Sequence, residues 1–137
     1  MKRMIVFFII LLITACGSSE WKATSAFFVQ EGDHYISLIG PKSKLGLKID
    51  EPFMKNKDVQ TAWYLWDAEG EYITIKATHK ETDREAIVIE SATLQSTKQF
   101  GANRVYTAPM TFEESGKWRI DILTDNELFA SIVVEVQ

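Results

Sequence analysis

From residue 26 to the C-terminus, apolar and polar positions alternate in short runs separated by turn residues. Tyr72 to His79 shows it most simply, with Ile73, Ile75 and Ala77 on one face and Thr74, Lys76 and Thr78 on the other. A period of two marks a half-buried strand. Trp118, Ile120 and Ile122 alternate with Arg119, Asp121 and Leu123, Asp125-Asn126 turns the chain, and Leu128 to Val136 returns with Ala130, Ile132, Val134 and Val136 on one face. That pattern predicts a terminal antiparallel hairpin. Further strands are predicted over 26–29, 34–39, 45–49, 61–66 and 85–94, with a short edge strand over 105–110 stopped by Pro109. Gly40-Pro41 breaks the chain, 50–58 and 95–103 read as loops, and Asp67-Ala68-Glu69-Gly70 reads as a hairpin turn. No stretch keeps a helical period. Seven to nine strands at spacings of about 8–12 residues predict an all-β antiparallel sandwich.

The first sixteen residues follow another pattern. Lys2 and Arg3 precede an unbroken apolar run from Met4 to Ile13, and Ile13-Thr14-Ala15-Cys16 is followed by Gly17-Ser18-Ser19. A positive start, a short apolar stretch and small residues at the cut describe a secretory signal. The run is too short for a spanning helix, which needs about 20 apolar residues. The segment resembles a bacterial lipoprotein signal peptide, with residues 13–16 matching the lipobox. The resemblance implies cleavage before Cys16, a diacylglycerol anchor of palmitate-type chains on its thiol, and a place on the outer face of the cell membrane. Two acyl chains hold a protein stably where one does so only marginally. The expected organisation is a signal over 1–15, a lipidated tether over 16–25 and one domain over 26–137.

Composition narrows the partners. The 137-residue chain has a single cysteine, so no internal disulfide supports the fold. Net charge is −4, and loss of Lys2 and Arg3 with the signal takes it near −6. A mildly acidic domain repels nucleic acid. About 110 residues suffice to bury a core unaided.

Two further segments carry a resemblance. Trp63-Tyr64-Leu65-Trp66-Asp67 is similar to the central tryptophan strand of immunoglobulin-like domains, and Ser115 to Asp121 to the turn entering a late strand of such domains. Gly116 to Asp121 together with Leu128 to Val136 resembles the ending of small Bacillus-type lipoproteins of unknown function. That resemblance covers about residues 60–136. It implies an immunoglobulin-like sandwich without the paired cysteines of antibody domains, and it supplies no catalytic residues.

Chemistry-bearing patterns are sparse. The histidines are His34 and His79; no Gly-x-Ser-x-Gly or paired metal-ligand motif occurs, and Ser115 sits in a turn. Asp67, Glu69 and Glu71 crowd one turn but lack the full calcium loop. Glu81, Asp83, Glu113 and Glu114 read as charged turns, and Arg84 and Arg119 as ion-pair partners. Lys42, Lys44, Lys48, Lys55 and Lys57 are interrupted by Asp50, Glu51 and Asp58, which reads as a mixed solvated surface. The sharpest candidates for a binding surface are Trp63, Tyr64 and Trp66. Residues three apart on a strand point to opposite faces, so one tryptophan is expected in the core and the other outside it, exposed or covered by loops. No catalytic residue, metal or cofactor is expected. The expected partners are the membrane, through Cys16, and an envelope protein or cell-wall polymer. The sequence thus favours a binding or interaction module, with an envelope-stress or cell-wall accessory sensor as the alternative and a small hydrolase last.

Overall fold

The computed structural model describes residues 21–137, so the signal segment and Cys16 lie outside the described residues. Ten strands follow in chain order: β1 Ala26–Glu31, β2 His34–Ile39, β3 Leu45–Ile49, β4 Val59–Leu65, β5 Tyr72–His79, β6 Glu85–Thr93, β7 Gln95–Ser96, β8 Arg104–Met110, β9 Gly116–Thr124 and β10 Glu127–Val136. They form two antiparallel sheets, ordered β1-β2-β3-β4-β8-β7 and β10-β9-β5-β6. With the first hairpin set aside, β3-β4-β8-β7 reproduces the A-B-E-D sheet of an immunoglobulin domain. In the second sheet β10-β9-β5 reproduces G-F-C, with β6 added beside C. The fold is therefore an all-β, immunoglobulin-like antiparallel sandwich, with a hairpin extending strand A. The strand number exceeds the expected seven to nine because a two-residue β7 forms inside the stretch read as a loop.

The sheets meet along alternating apolar positions. Leu47, Val59, Trp63 and Leu65 from one face Ile73, Ile75, Trp118, Ile120, Ile122 and Ile132 from the other, all buried. Trp63 Nε1 donates to Thr61 Oγ1 at 3.0 Å, and Thr61 Oγ1 donates to the Ala108 carbonyl at 2.7 Å. A buried indole N–H needs such a partner. The tryptophan strand itself, β4, stands in the place of strand B. The resemblance had matched it to the central tryptophan strand, which in immunoglobulin domains is strand C.

Three local expectations are corrected. Asp67 to Gly70 does not close a hairpin, because β4 and β5 lie in different sheets and the segment crosses between them. A short polar turn serves either connection, and the tertiary pairing decides. Strand β8 is an edge strand only beyond β7, since it pairs with β4 along its length and with β7 at Arg104 and Val105 alone. Pro109 sits beyond the reach of β7, where its missing N–H leaves no ladder bond unmade. The presumed tether is docked before β1 begins. Thr24 N donates to the Val133 carbonyl at 3.0 Å, Val133 N donates to Thr24 Oγ1 at 2.8 Å, and the Arg119 guanidinium lies over the Trp21 ring.

The first hairpin makes a second, smaller core. β2 joins β3 through a single registered pair, Ile39 and Leu47, at a sharp bend formed by Gly40. A Cβ at Gly40 would lie 2.1 Å from the Leu45 carbonyl oxygen, so no larger residue makes that bend. The hairpin accordingly folds over the outer face of β3 and β4. Phe27, Val29, Ile36 and Leu38 pack there against Ala62, Tyr64, Trp66 and Phe100. Gly46 lets the hairpin approach: a Cβ there would meet Leu38 Cδ1 at 2.9 Å and Phe27 Cζ at 3.2 Å.

Candidate functional site

The second core decides the fate of the aromatic candidates. Trp63 is fully buried between the sheets, and Tyr64 is 6 % exposed beneath the hairpin. Tyr64 donates its hydroxyl to Gln99 Oε1 at 3.2 Å and meets the Phe100 ring edge-on. Burial raises its phenol above the ordinary 10.0, and the Glu31 carboxylate adds to the shift. Trp66 keeps partial exposure, but its Nε1 donates to the Phe100 carbonyl and its ring packs on Phe27. The reading of Trp63 and Tyr64 as surface-binding groups is thus corrected. A strand apolar on both faces is covered on both, here by the opposite sheet and by the hairpin. The exposed aromatics are instead Phe28 and Tyr35 on the hairpin's solvent face and Tyr72 at the start of β5.

The two histidines do different things. His34 stands exposed at the hairpin tip, 3.8 Å from Glu31. His79 is 3 % exposed at the end of β5. Its Nε2 is 2.8 Å from the Ser115 carbonyl, which only accepts, so Nε2 carries the proton and donates. Nδ1 then accepts from the Thr82 hydroxyl at 2.9 Å. The ring stacks on Trp118, whose Nε1 donates to the Glu114 carbonyl at 2.9 Å. The ring thus ties the 80–84 turn to the 113–116 turn, with the Thr82 hydroxyl on Nδ1 and the Glu81 carboxylate 3.6 Å from Nε2.

Side chains from elsewhere hold the acidic turn. Asn103 brackets Ala68 through two bonds, and Asp125 Oδ1 accepts from the backbone N–H groups of Glu71 and Tyr72. Among the described residues no group of three or more His, Cys, Asp or Glu could hold a metal ion. Asp67, Glu69, Asp125 and Glu127 line an open hollow of about 440 Å³ at this end, with Lys44 over the Phe129 ring. The lysine stretch is partly neutralised, Lys48 by Asp50 at 3.5 Å and Lys57 by Glu51 at 2.7 Å. Arg119 pairs with Asp121 at 3.4 Å and Arg84 with Glu114.

The best-formed concavity lies at the other end, where sequence reasoning placed nothing. It is a cleft of about 310 Å³ between β6 and the 111–113 connection. Ala77, Ala86, Val88, Phe112 and Trp118 form its apolar walls, and Arg84, Glu85 and Glu113 its rim. It opens because β7 is only two residues long and covers nothing opposite the first half of β6. It also opens because Ala77 and Ala86, paired across β5 and β6, are small. The walls come from residues some 35 positions apart in sequence, and no local pattern joins them. The only available signal was Ala77 and Ala86 as the smallest residues on otherwise bulky apolar faces. An apolar pocket with a few convergent polar groups is the usual form of a binding site.

No protein-family model matches the chain, and no curated protein matches it. Two solved structures do. One is a Bacillus anthracis protein assigned as a lipoprotein, 20% identical, with a TM-score of 0.64, covering 91% of this chain and 98% of that chain. The other is an immunoglobulin-like protein from Pseudomonas aeruginosa, 10% identical, with a TM-score of 0.36, covering 85% of this chain and 93% of that chain. The first supports the fold along almost the whole of both chains; the second is too distant to carry an argument.

Proposed function

We propose that the protein is a lipid-anchored extracytoplasmic binding module whose ligand site is the cleft between β6, Phe112 and Trp118. The observation that carries the reading is the cleft itself, an apolar concavity with a charged rim. The lipobox-like segment before Cys16 supplies the anchor, and the similarity to a protein assigned as a lipoprotein fits it. Among the described residues Thr24 is the first hydrogen-bonded to the sandwich, and it follows Cys16 by eight positions, so that point of the domain lies at most about 29 Å from Cys16. A binding role fits the sparse chemistry of the cleft, whose arginine is paired with Glu114.

A cysteine footprint on intact cells tests both halves. Ser37→Cys, on the exposed hairpin face, is expected to react with a membrane-impermeant maleimide. Ala86→Cys, at the mouth of the cleft, is expected to react in the purified protein and to be protected on cells. Equal reaction at both positions on cells, or reaction at neither, would overturn the reading.

A further inference from the structure

Strand β6 forms the free edge of its sheet, with no strand beyond it among the described residues. Its first half reads Glu85-Ala86-Ile87-Val88, without proline or lysine, and Ile87 is 55 % exposed. Folded proteins usually blunt such an edge. The same side of the molecule holds a second unpaired edge, the end of β8 beyond β7, and there Pro109 does the blunting. In β6 the protection is confined to the second half. Between the pairs Ile75–Ile89 and Ile73–Ala92, Glu90 and Ser91 stand against Thr74 alone, and Val88 is an extra residue between Ile87 and Ile89. These two bulges, with Ser91 at φ 50°, twist the second half away. Residues 85–87 are left regular and open, with the bulged Val88 following them in the wall of the cleft.

Resting on the cleft as the binding face, we propose that the protein binds an extended peptide segment by strand addition to residues 85–87 of β6. An incoming strand continues the sheet across the mouth of the cleft. Its backbone meets the free N–H and C=O groups of the edge, and one inward side chain of valine or leucine size enters between Ala86, Phe112 and Trp118. Charge fixes the rest of the occupant. Among the described residues Glu85 and Glu113 make no ion pair at the rim, whereas Arg84 is already held by Glu114. The segment therefore carries alternating apolar residues beside lysine or arginine. The bulges stop pairing after a few residues, so the edge accepts a short strand and does not extend an open-ended sheet.

The test uses the mature chain purified from membranes in detergent. The probes are a capped heptapeptide alternating valine and threonine with a lysine at each end, and its glutamate-ended counterpart. The lysine peptide is expected to slow amide exchange within 85–87 saturably. Glu85→Lys with Glu113→Lys is expected to weaken it roughly five- to tenfold and to favour the glutamate peptide, as two exposed charge pairs would. Ala86→Leu, filling the cleft mouth, is expected to lose the peptide with its melting midpoint kept; should it fail to fold, the charge swap still decides. No protection by the lysine peptide, equal binding of both peptides, or protection that grows with protein concentration alone would overturn the proposal, the last by making a second copy the occupant. If Ala86→Cys is nevertheless protected on cells, the cleft remains a binding site and only strand addition is wrong.

Discussion

Single side chains hold this sandwich where sheet pairing does not reach. Trp118 fills the floor of the cleft, stacks on His79 and Phe112, and satisfies its indole on the Glu114 carbonyl. Trp118→Ala should cost about 3–5 kcal/mol, the range for deleting a large buried aromatic. A urea midpoint equal to wild type would show that the cleft end is not part of the cooperative core. Tyr64 gives a pH-dependent counterpart. Its folded-state pKa lies above the unfolded 10.0, so the folded protein holds the phenolic proton more tightly. That contribution is full below about pH 10 and is lost as pH rises through the folded-state value. Tyr64→Phe has no proton to lose, so its stability should fall less than wild type between about pH 9 and pH 11. Parallel stability curves over that range would contradict the assignment.

At the scale of elements, the first hairpin distinguishes this molecule from a plain two-sheet sandwich. It covers Tyr64 and Trp66 only because Gly46 admits Leu38 and Phe27 to close contact. Gly46→Ala should destabilise by about 1–3 kcal/mol through overpacking, and the loss should appear in the urea midpoint. An unchanged midpoint would mean that the hairpin lifts at no cost. Strands whose apolar and polar positions alternate were legible in the sequence. β2, β3 and β5 begin and end where alternation placed them, and the terminal hairpin pairs Trp118 with Val134 and Ile120 with Ile132 as the alternation requires. The hairpin's position was not legible. Period two reports two faces but not what lies on them, and in β4 both faces are apolar. The cleft was hidden for a related reason. The bulges at Val88 and Glu90-Ser91 place Val88 and Ile89 both against the core, breaking the alternation on which a strand reading rests.

On the scale of the whole molecule, one sandwich is expected to be held by its cores alone. The only cysteine, Cys16, has no partner for a disulfide within the chain, and the described residues assemble no metal-binding group. Unfolding should be cooperative, with a transition moved by neither reductant nor chelator. A chelator-dependent melting temperature would reveal a cation, and the turn from Asp67 to Glu71 would be the place to seek it. The anchor is the claim on which the location, and with it the meaning of the cleft, depends. It is tested most directly by the intact mass of the protein purified from membranes. The account predicts a chain beginning at Cys16 and heavier than its residues by a diacylglycerol group, and a Cys16→Ala chain that keeps residues 1–15. A wild-type chain beginning elsewhere, or bearing Cys16 as a free thiol, would contradict it.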